Sequence, residues 1–252
     1  MDLTLKERFL DGWVNYFGSA DLPIVFFFSD DDRYEEHVKI TEGFTCMIGQ
    51  LKEVRDGQTA AFTGDSIGCR GGVRYSGFPS KPDPNLAYFL SCGVPGQFEG
   101  LRLKRTPELV EGLAGSASIV PAEGTYLVAK RFDALDPEDA PRVVAWFAGP
   151  DVIAALFHLA AFDTSDRNCV ISPQTAGCGS IINYPLAEGD RDDPRGVLGM
   201  FDISARPYVR ADVLTFAVPL KLFERMVEGM DESFLTAEAW QGIKRRIEKP
   251  NT

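Results

Sequence analysis

The stretch best supplied for chemistry is Phe62 to Phe78, FTGDSIGCRGGVRYSGF, where one cysteine, two arginines and five glycines crowd a turn-rich loop. A fainter echo, ISPQTAGCGSI, runs from Ile171 to Ile181. Glycine tolerates positive φ and lets the backbone come close to a ligand. Successive amides in such a turn form an anion-binding nest. Arg70 and Arg74 add forked donors for a carboxylate or phosphate. The expected contact residues are Gly68, Cys69, Arg70, Gly71, Gly72 and Arg74, joined by Gly177, Cys178 and Gly179 from the echo. The loop is not a P-loop, because GxxxxGK[ST] is absent, and it is not a GxGxxG turn between strand and helix.

The thiols offer a second chemistry. Cys46, Cys69 and Cys92 follow one another at intervals of 23 residues, and Cys169 and Cys178 lie 9 apart. Four thiolates brought from separate turns, Cys46, Cys69, Cys92 and Cys178, can hold zinc or an iron–sulfur cluster. A nucleophilic Cys69 or Cys178 would need a histidine beside it, and neither His37 nor His158 is near in sequence. A third reading makes the cysteines core residues and the glycines plain turns, in a non-catalytic interaction or scaffold protein.

The elements that must position these residues are mixed. Leu3, Leu10, Trp13 and Phe17 recur at helical spacing, and Gly18 ends that helix. Pro23 to Phe28 reads as a buried strand. SDDDRYEEH then reads as a solvated acidic loop rather than a metal cage, since adjacent aspartates need not converge. Phe44 to Val54 reads as a helix with Cys46 in its first turn, where the dipole favours thiolate; the same cysteine also suits a small core position. Gln58 to Thr63 is a strand. Asp83-Pro84 starts a short helix to Ser91, and Thr106-Pro107 starts another closing near Gly115. Strands follow at Thr125–Phe132 and Arg142–Phe147. Val152 to Phe162 is a helix on which His158 is expected to be packed among apolar neighbours. Asn183 to Gly199 reads as a long polar connection. Met200–Ala205 and Val213–Val218 read as strands, Pro219–Met230 as a helix, and Thr236 caps a last helix that turns basic at its end.

Totals bound the function. The 252 residues carry a net charge of −11, which disfavours nucleic acid and anionic membrane as partners. The N-terminus has no signal core, and the odd cysteine count without CxxC argues against a secreted disulfide framework. A cytoplasmic location is expected. The strands IVFFFS and VVAWFA look alike, and each is followed by a Gly-Cys turn, IGCRGG or AGCGSI. This suggests two related halves, about 20–115 and 120–230, with a site between them.

In order along the chain stand the Cys46 helix start, the Cys69 turn running into Gly-Gly, Pro150 to Ile153, Cys169 with Gly-Cys-Gly at Cys178, Arg206-Pro207-Tyr208, and a strand ending in Val218-Pro219. Together these resemble the domain-of-unknown-function 169 family of bacterial and archaeal proteins, over roughly Val25 to Met226. The resemblance implies a prokaryotic cytoplasmic protein and supplies no catalytic residues. It marks Cys46, Cys69, Cys178 and Arg206 as family-type positions, and Arg206 joins the arginines that would hold an anion.

The expectation is a single-domain mixed α/β (α+β) protein, with two similar halves in pseudo-symmetry. It binds a small anionic ligand at a Gly/Cys/Arg-rich site, or a cysteine-ligated metal or cluster, with a homodimer as its further partner state. Whether it is an enzyme stays open.

Overall fold

A computed structural model describes residues 2–40, 43–81, 83–116 and 118–248. In chain order the elements begin with α1 (Leu3–Phe17), β1 (Ile24–Ser29), α2 (Met47–Arg55), β2 (Ala60–Phe62) and α3 (Arg70–Tyr75). Then come α4 (Leu86–Phe89), β3 (Gly93–Val94), β4 (Phe98–Glu99), α5 (Pro107–Ser116) and β5 (Tyr126–Arg131). The chain continues with β6 (Val143–Ala148), α6 (Pro150–Ala160), β7 (Val170–Ile171), α7 (Tyr184–Gly189), β8 (Gly196–Gly199), β9 (Leu214–Pro219), α8 (Leu220–Gly229) and α9 (Glu238–Glu248). The fold is mixed α/β, as the sequence indicates. Among the described residues no helix is long and apolar enough to cross a membrane.

Two compact units are present. Residues 79–119 form a small one, in which β3 and β4 pair antiparallel beside α4 and α5. The rest is built on a seven-stranded sheet in the order β2-β5-β1-β6-β9-β8-β7. Its pairings are antiparallel except β7 with β8. The two look-alike strands meet at its centre, with Ile24 opposite Ala145 and Phe26 opposite Val143. Outward from that pair the order is β1, β5, β2 on one side and β6, β9, β8 on the other.

Strand alternation divides the core. Val25, Phe27, Val128, Val144, Trp146, Phe216 and Val218 face α1, α6, α8 and α9. Ile24, Phe26, Leu127, Ala129, Ala145, Phe147 and Ala217 face α2 and the segment Cys178 to Leu186. Helix α1 is capped by the Asp2 carboxylate, which accepts from the Thr4 N–H at 2.8 Å, and it ends at Gly18 with φ 61°. It buries Phe9, Trp13 and Phe17, while Leu3 stays exposed.

Several elements depart from expectation. The acidic loop is a 3-10 helix, Asp32–His37, started by an Asx turn of Asp31 onto Arg33 N–H. The expected helix from Asp83 shortens to α4. The long polar connection is largely helix and strand, because helix continues from residue 177 through α7 and β8 follows. A buried Glu188 holds the two together: Arg195 donates through Nε at 3.0 Å and through a terminal nitrogen at 2.6 Å, a fork that secures the turn. The strand expected at Met200–Ala205 is a turn, because Asp202 takes both the N–H and the hydroxyl of Ser204. His158 is exposed on α6, edge-on to Phe234 at 5.6 Å.

Surface carboxylates make stability sensitive to acid. Hydrogen bonds from Arg131, Lys130 and Arg225 hold the pKa values of Asp133, Asp136 and Asp193, respectively, below the ordinary aspartate range. An unfolded aspartate titrates near about 3.9, so on acidification the unfolded chain binds protons first. The stability from these bonds is therefore full above about pH 5 and is lost as pH falls through the folded pKa values. Thermal midpoints should be level from about pH 7 to 5 and drop below about 4. The double variant Asp136→Asn/Asp193→Asn should flatten that drop; an unchanged slope would refute the assignment.

Candidate functional site

Three cysteines of the larger unit come to one place. Each stands at the start of a helix. Cys46 is the N-cap of α2, which starts three residues later than the expected helix. Cys69 is the N-cap of α3, and its Sγ accepts the Gly72 N–H at 3.2 Å. Cys178 immediately precedes a single π turn, residues 179–183, whose Tyr184 N–H bonds to the Gly179 carbonyl. Such π turns often accompany functional sites.

Glycines bring these helix starts together. A Cβ on Gly72 would lie 2.7 Å from Ile67 Cγ2, 2.9 Å from Cys69 Sγ and 3.6 Å from Met47 Cβ. One on Gly177 would meet Ala205 Cβ at 2.9 Å and Ile48 Cγ1 at 3.2 Å. One on Gly179 would meet Thr175 Oγ1 at 2.2 Å and Tyr75 Cδ1 at 3.1 Å. The start of α2 thus touches both of the other segments, and α3 touches the π turn. The sequence read residues 62–78 as an open loop with a nest of amides. Instead Gly71 and Gly72 lie within α3, and the Gly72 N–H is directed at a sulfur.

Electrostatics shows the same convergence. Burial pushes the Cys178 thiol well above its ordinary range, and charge on Cys69, Cys46 or Asp202 would push it further. Burial also raises Cys46, with Cys69 and Asp202 adding to it and the amides of Ile48 and Gly49 opposing it. Asp202 is committed to the backbone: its Oδ2 accepts the Gly177 N–H at 3.0 Å and caps that helix. Among the described residues no group of three or more His, Cys, Asp or Glu side chains is arranged as it stands to hold a metal ion.

A model of the DUF169 family, described as uncharacterised ArCR, matches residues 21–229. The chain belongs to this family. No curated protein and no solved structure matches the chain. The family match covers Cys46, Cys69 and Cys178 and the whole central sheet, and it runs to the last residue of α8.

The other expected site residues are distributed more widely. Gly68 precedes the Cys69 cap, and the Arg70 side chain is exposed on α3 with Arg74 one turn on. The Arg206 guanidinium donates to the carbonyls of Arg210, Ala211 and Val213, which ties its own loop shut. Cys92 belongs to the unit of residues 79–119, is exposed, and its Sγ lies 3.4 Å from the Gly93 carbonyl. Cys169 is buried beside β7, where Asp166 and Asp193 are the charges that act on it. Sequence reasoning missed Asp202. The Asp-x-Ser spacing of an Asx turn was its available signal.

Neighbouring glycines should respond in opposite directions. A Cβ at Gly71 meets nothing within 4 Å, so Gly71→Ala should raise stability by up to about 1 kcal/mol through helix propensity. Gly72→Ala gains the same propensity but drives a methyl into Ile67 and Cys69, and a net loss of about 1–2 kcal/mol is expected. Urea denaturation of both variants checks this; equal effects would refute it.

Proposed function

We propose that the protein binds a thiophilic divalent metal, of the zinc class, through Cys46, Cys69 and Cys178. What supports this reading is the packing together of three helix starts from separate stretches, each bearing a cysteine. Nucleophilic catalysis draws less support. Burial keeps Cys178 and Cys46 protonated at neutral pH, and a nucleophile needs the thiolate. Metal binding works with such thiols, because the ion displaces the protons. The sulfurs now face amides, so entry requires the buried thiols of Cys46 and Cys178 to lose their protons and all three sulfurs to turn toward one point. Cys46 and Cys69 keep partial exposure as a route in.

An anionic ligand draws less support as well. The Asp202 carboxylate beside the thiols repels it, and Arg206 is engaged with its own loop.

Elemental analysis of anaerobically purified protein tests the proposal. About one equivalent of metal is expected, lost in Cys46→Ser, Cys69→Ser and Cys178→Ser and kept in Cys169→Ser. A brown cluster would replace the mononuclear centre with an iron–sulfur one. No metal at isolation, together with no uptake of added Zn2+ under reducing conditions, would overturn the reading.

A further inference from the structure

We propose that the groove between α1 and α8 binds a small zwitterion of the α-amino-acid class with an aliphatic side chain. Its carboxylate meets Arg8, its ammonium meets Asp11, and its side chain lies on Gly12, Val227 and Met230.

Size and floor set the class of molecule. The groove holds about 260 Å3. Sites for small molecules commonly run from about 300 to 1,000 Å3, so the occupant is about the size of one amino acid, and a nucleotide is too large. The floor is apolar, with Val227 and Met230 buried. Gly12 lets α1 lie close over it. A Cβ there would meet Met230 Cε at 3.0 Å and Sδ at 3.2 Å. An aliphatic chain laid on this floor loses apolar surface to the protein, which favours binding.

The rim carries both signs of charge. Arg8, Asp11 and Asn15 follow one another at spacings of three and four, so they share one face of α1. Among the described residues Arg8 forms its ion pair with Asp231, at 3.8 Å, and none with Asp11. The same Arg8 nitrogen donates to the Glu228 carbonyl at 3.0 Å. Asp231 is fixed in turn, because its Oδ1 accepts the Tyr16 hydroxyl at 2.8 Å, and Asn15 bonds that hydroxyl as well. The guanidinium is therefore held in place through one nitrogen, and its remaining N–H groups suit the fork a carboxylate accepts. Holding it beforehand lowers the ordering cost of binding. Asp11 stands one turn away as the partner for an ammonium. A plain anion would use Arg8 alone and meet the field of a chain of net charge −11. A plain cation would use Asp11 alone. A zwitterion uses both.

Apart from Val227, the lining residues fall outside residues 21–229, the stretch the family model matches, and none belongs to the cysteine segments. The groove is thus independent of the metal reading.

Titrating the isotope-labelled full chain with leucine, followed by amide chemical shifts, tests the proposal. Shifts are expected at Gly12, its neighbours on α1 and the end of α8. Isocaproate lacks the ammonium and isopentylamine lacks the carboxylate. Each should bind at least about tenfold more weakly than leucine, because one charge-assisted bond is gone. Arg8→Gln should reduce leucine to the level of the amine, and Asp11→Asn to the level of the acid. Both positions are exposed, so the fold should be kept. Glu111→Gln, in the smaller unit, should change nothing. Absence of leucine-dependent shifts on α1 would overturn the proposal. Isopentylamine binding as tightly as leucine would mean a simple cation site and overturn it too. Leucine affinity unchanged in both Arg8→Gln and Asp11→Asn would place the binding elsewhere, with the same consequence.

Discussion

Replacing Asp139 by alanine should destabilise the protein by about 3–5 kcal/mol. The carboxylate is 1% exposed and lies at the centre of a buried network. It accepts from the Tyr34 hydroxyl at 2.6 Å, Lys130 Nζ at 2.7 Å, the Asp136 N–H at 2.8 Å and Arg33 at 3.3 Å. Lys130 is itself 4% exposed and points from β5 into the same space. Burial alone would lower its pKa, but the bonds it donates to Asp136 and Asp139 more than reverse that, and the ammonium stays charged. Alanine would remove the buried partner and leave that charge with Asp136, whose side chain is 55% exposed. Uncompensated buried charge carries most of the expected loss. Asp136→Ala, at a solvated position, should cost about 1 kcal/mol or less. The double replacement Lys130→Met/Asp139→Leu should recover much of the stability, because neither charge is then stranded. Urea denaturation at neutral pH compares the three. An Asp139→Ala loss below about 1 kcal/mol would show that water reaches the network.

Trp146→Ala should cost about as much, roughly 3–5 kcal/mol, for a different reason. Trp146 is 1% exposed on the central strand β6, facing α1 and α8. Its ring centroid lies 6.0 Å from Phe223, 6.1 Å from Trp13, 6.4 Å from Phe216 and 6.5 Å from Phe9. Truncation opens a cavity that four rings held by three elements cannot fill. Trp146→Phe separates volume from polarity. The indole N–H is buried without a hydrogen-bond partner in the described structure. Phenylalanine removes that orphan donor as well as some volume, so its cost should fall below about 1.5 kcal/mol. Denaturation midpoints at unchanged m-value measure both. A phenylalanine variant as unstable as the alanine one would mean that the N–H is satisfied by water.

Much of the frame was legible along the chain. IVFFFS and VVAWFA are strands because β-branched and aromatic runs of that length suit a sheet buried on both faces, and they are the central pair. Helix α1 was legible because Trp13 and Phe17 repeat at helical spacing before Gly18. Local chemistry misled where its partners were remote. The Phe62–Phe78 glycines looked like a turn-rich loop. Two of them are helical because Cys69 caps α3 and Gly72 lies against Ile67 and Met47. Asn183 to Gly199 looked like a connection because it is polar and rich in turn residues. Glu188 and Arg195 instead satisfy each other, seven residues apart.

The sequence by itself determined the residue types that matter: apolar strands for a two-faced sheet, an acidic surface, and thiols set beside glycines. Those follow from propensity and charge, which are properties of single residues and their near neighbours. The tertiary structure alone decided which thiols meet, because bringing together Cys46, Cys69 and Cys178 depends on the order in which strands join the sheet. Strand order is set by burial summed over the whole chain, and no window of neighbouring residues contains it.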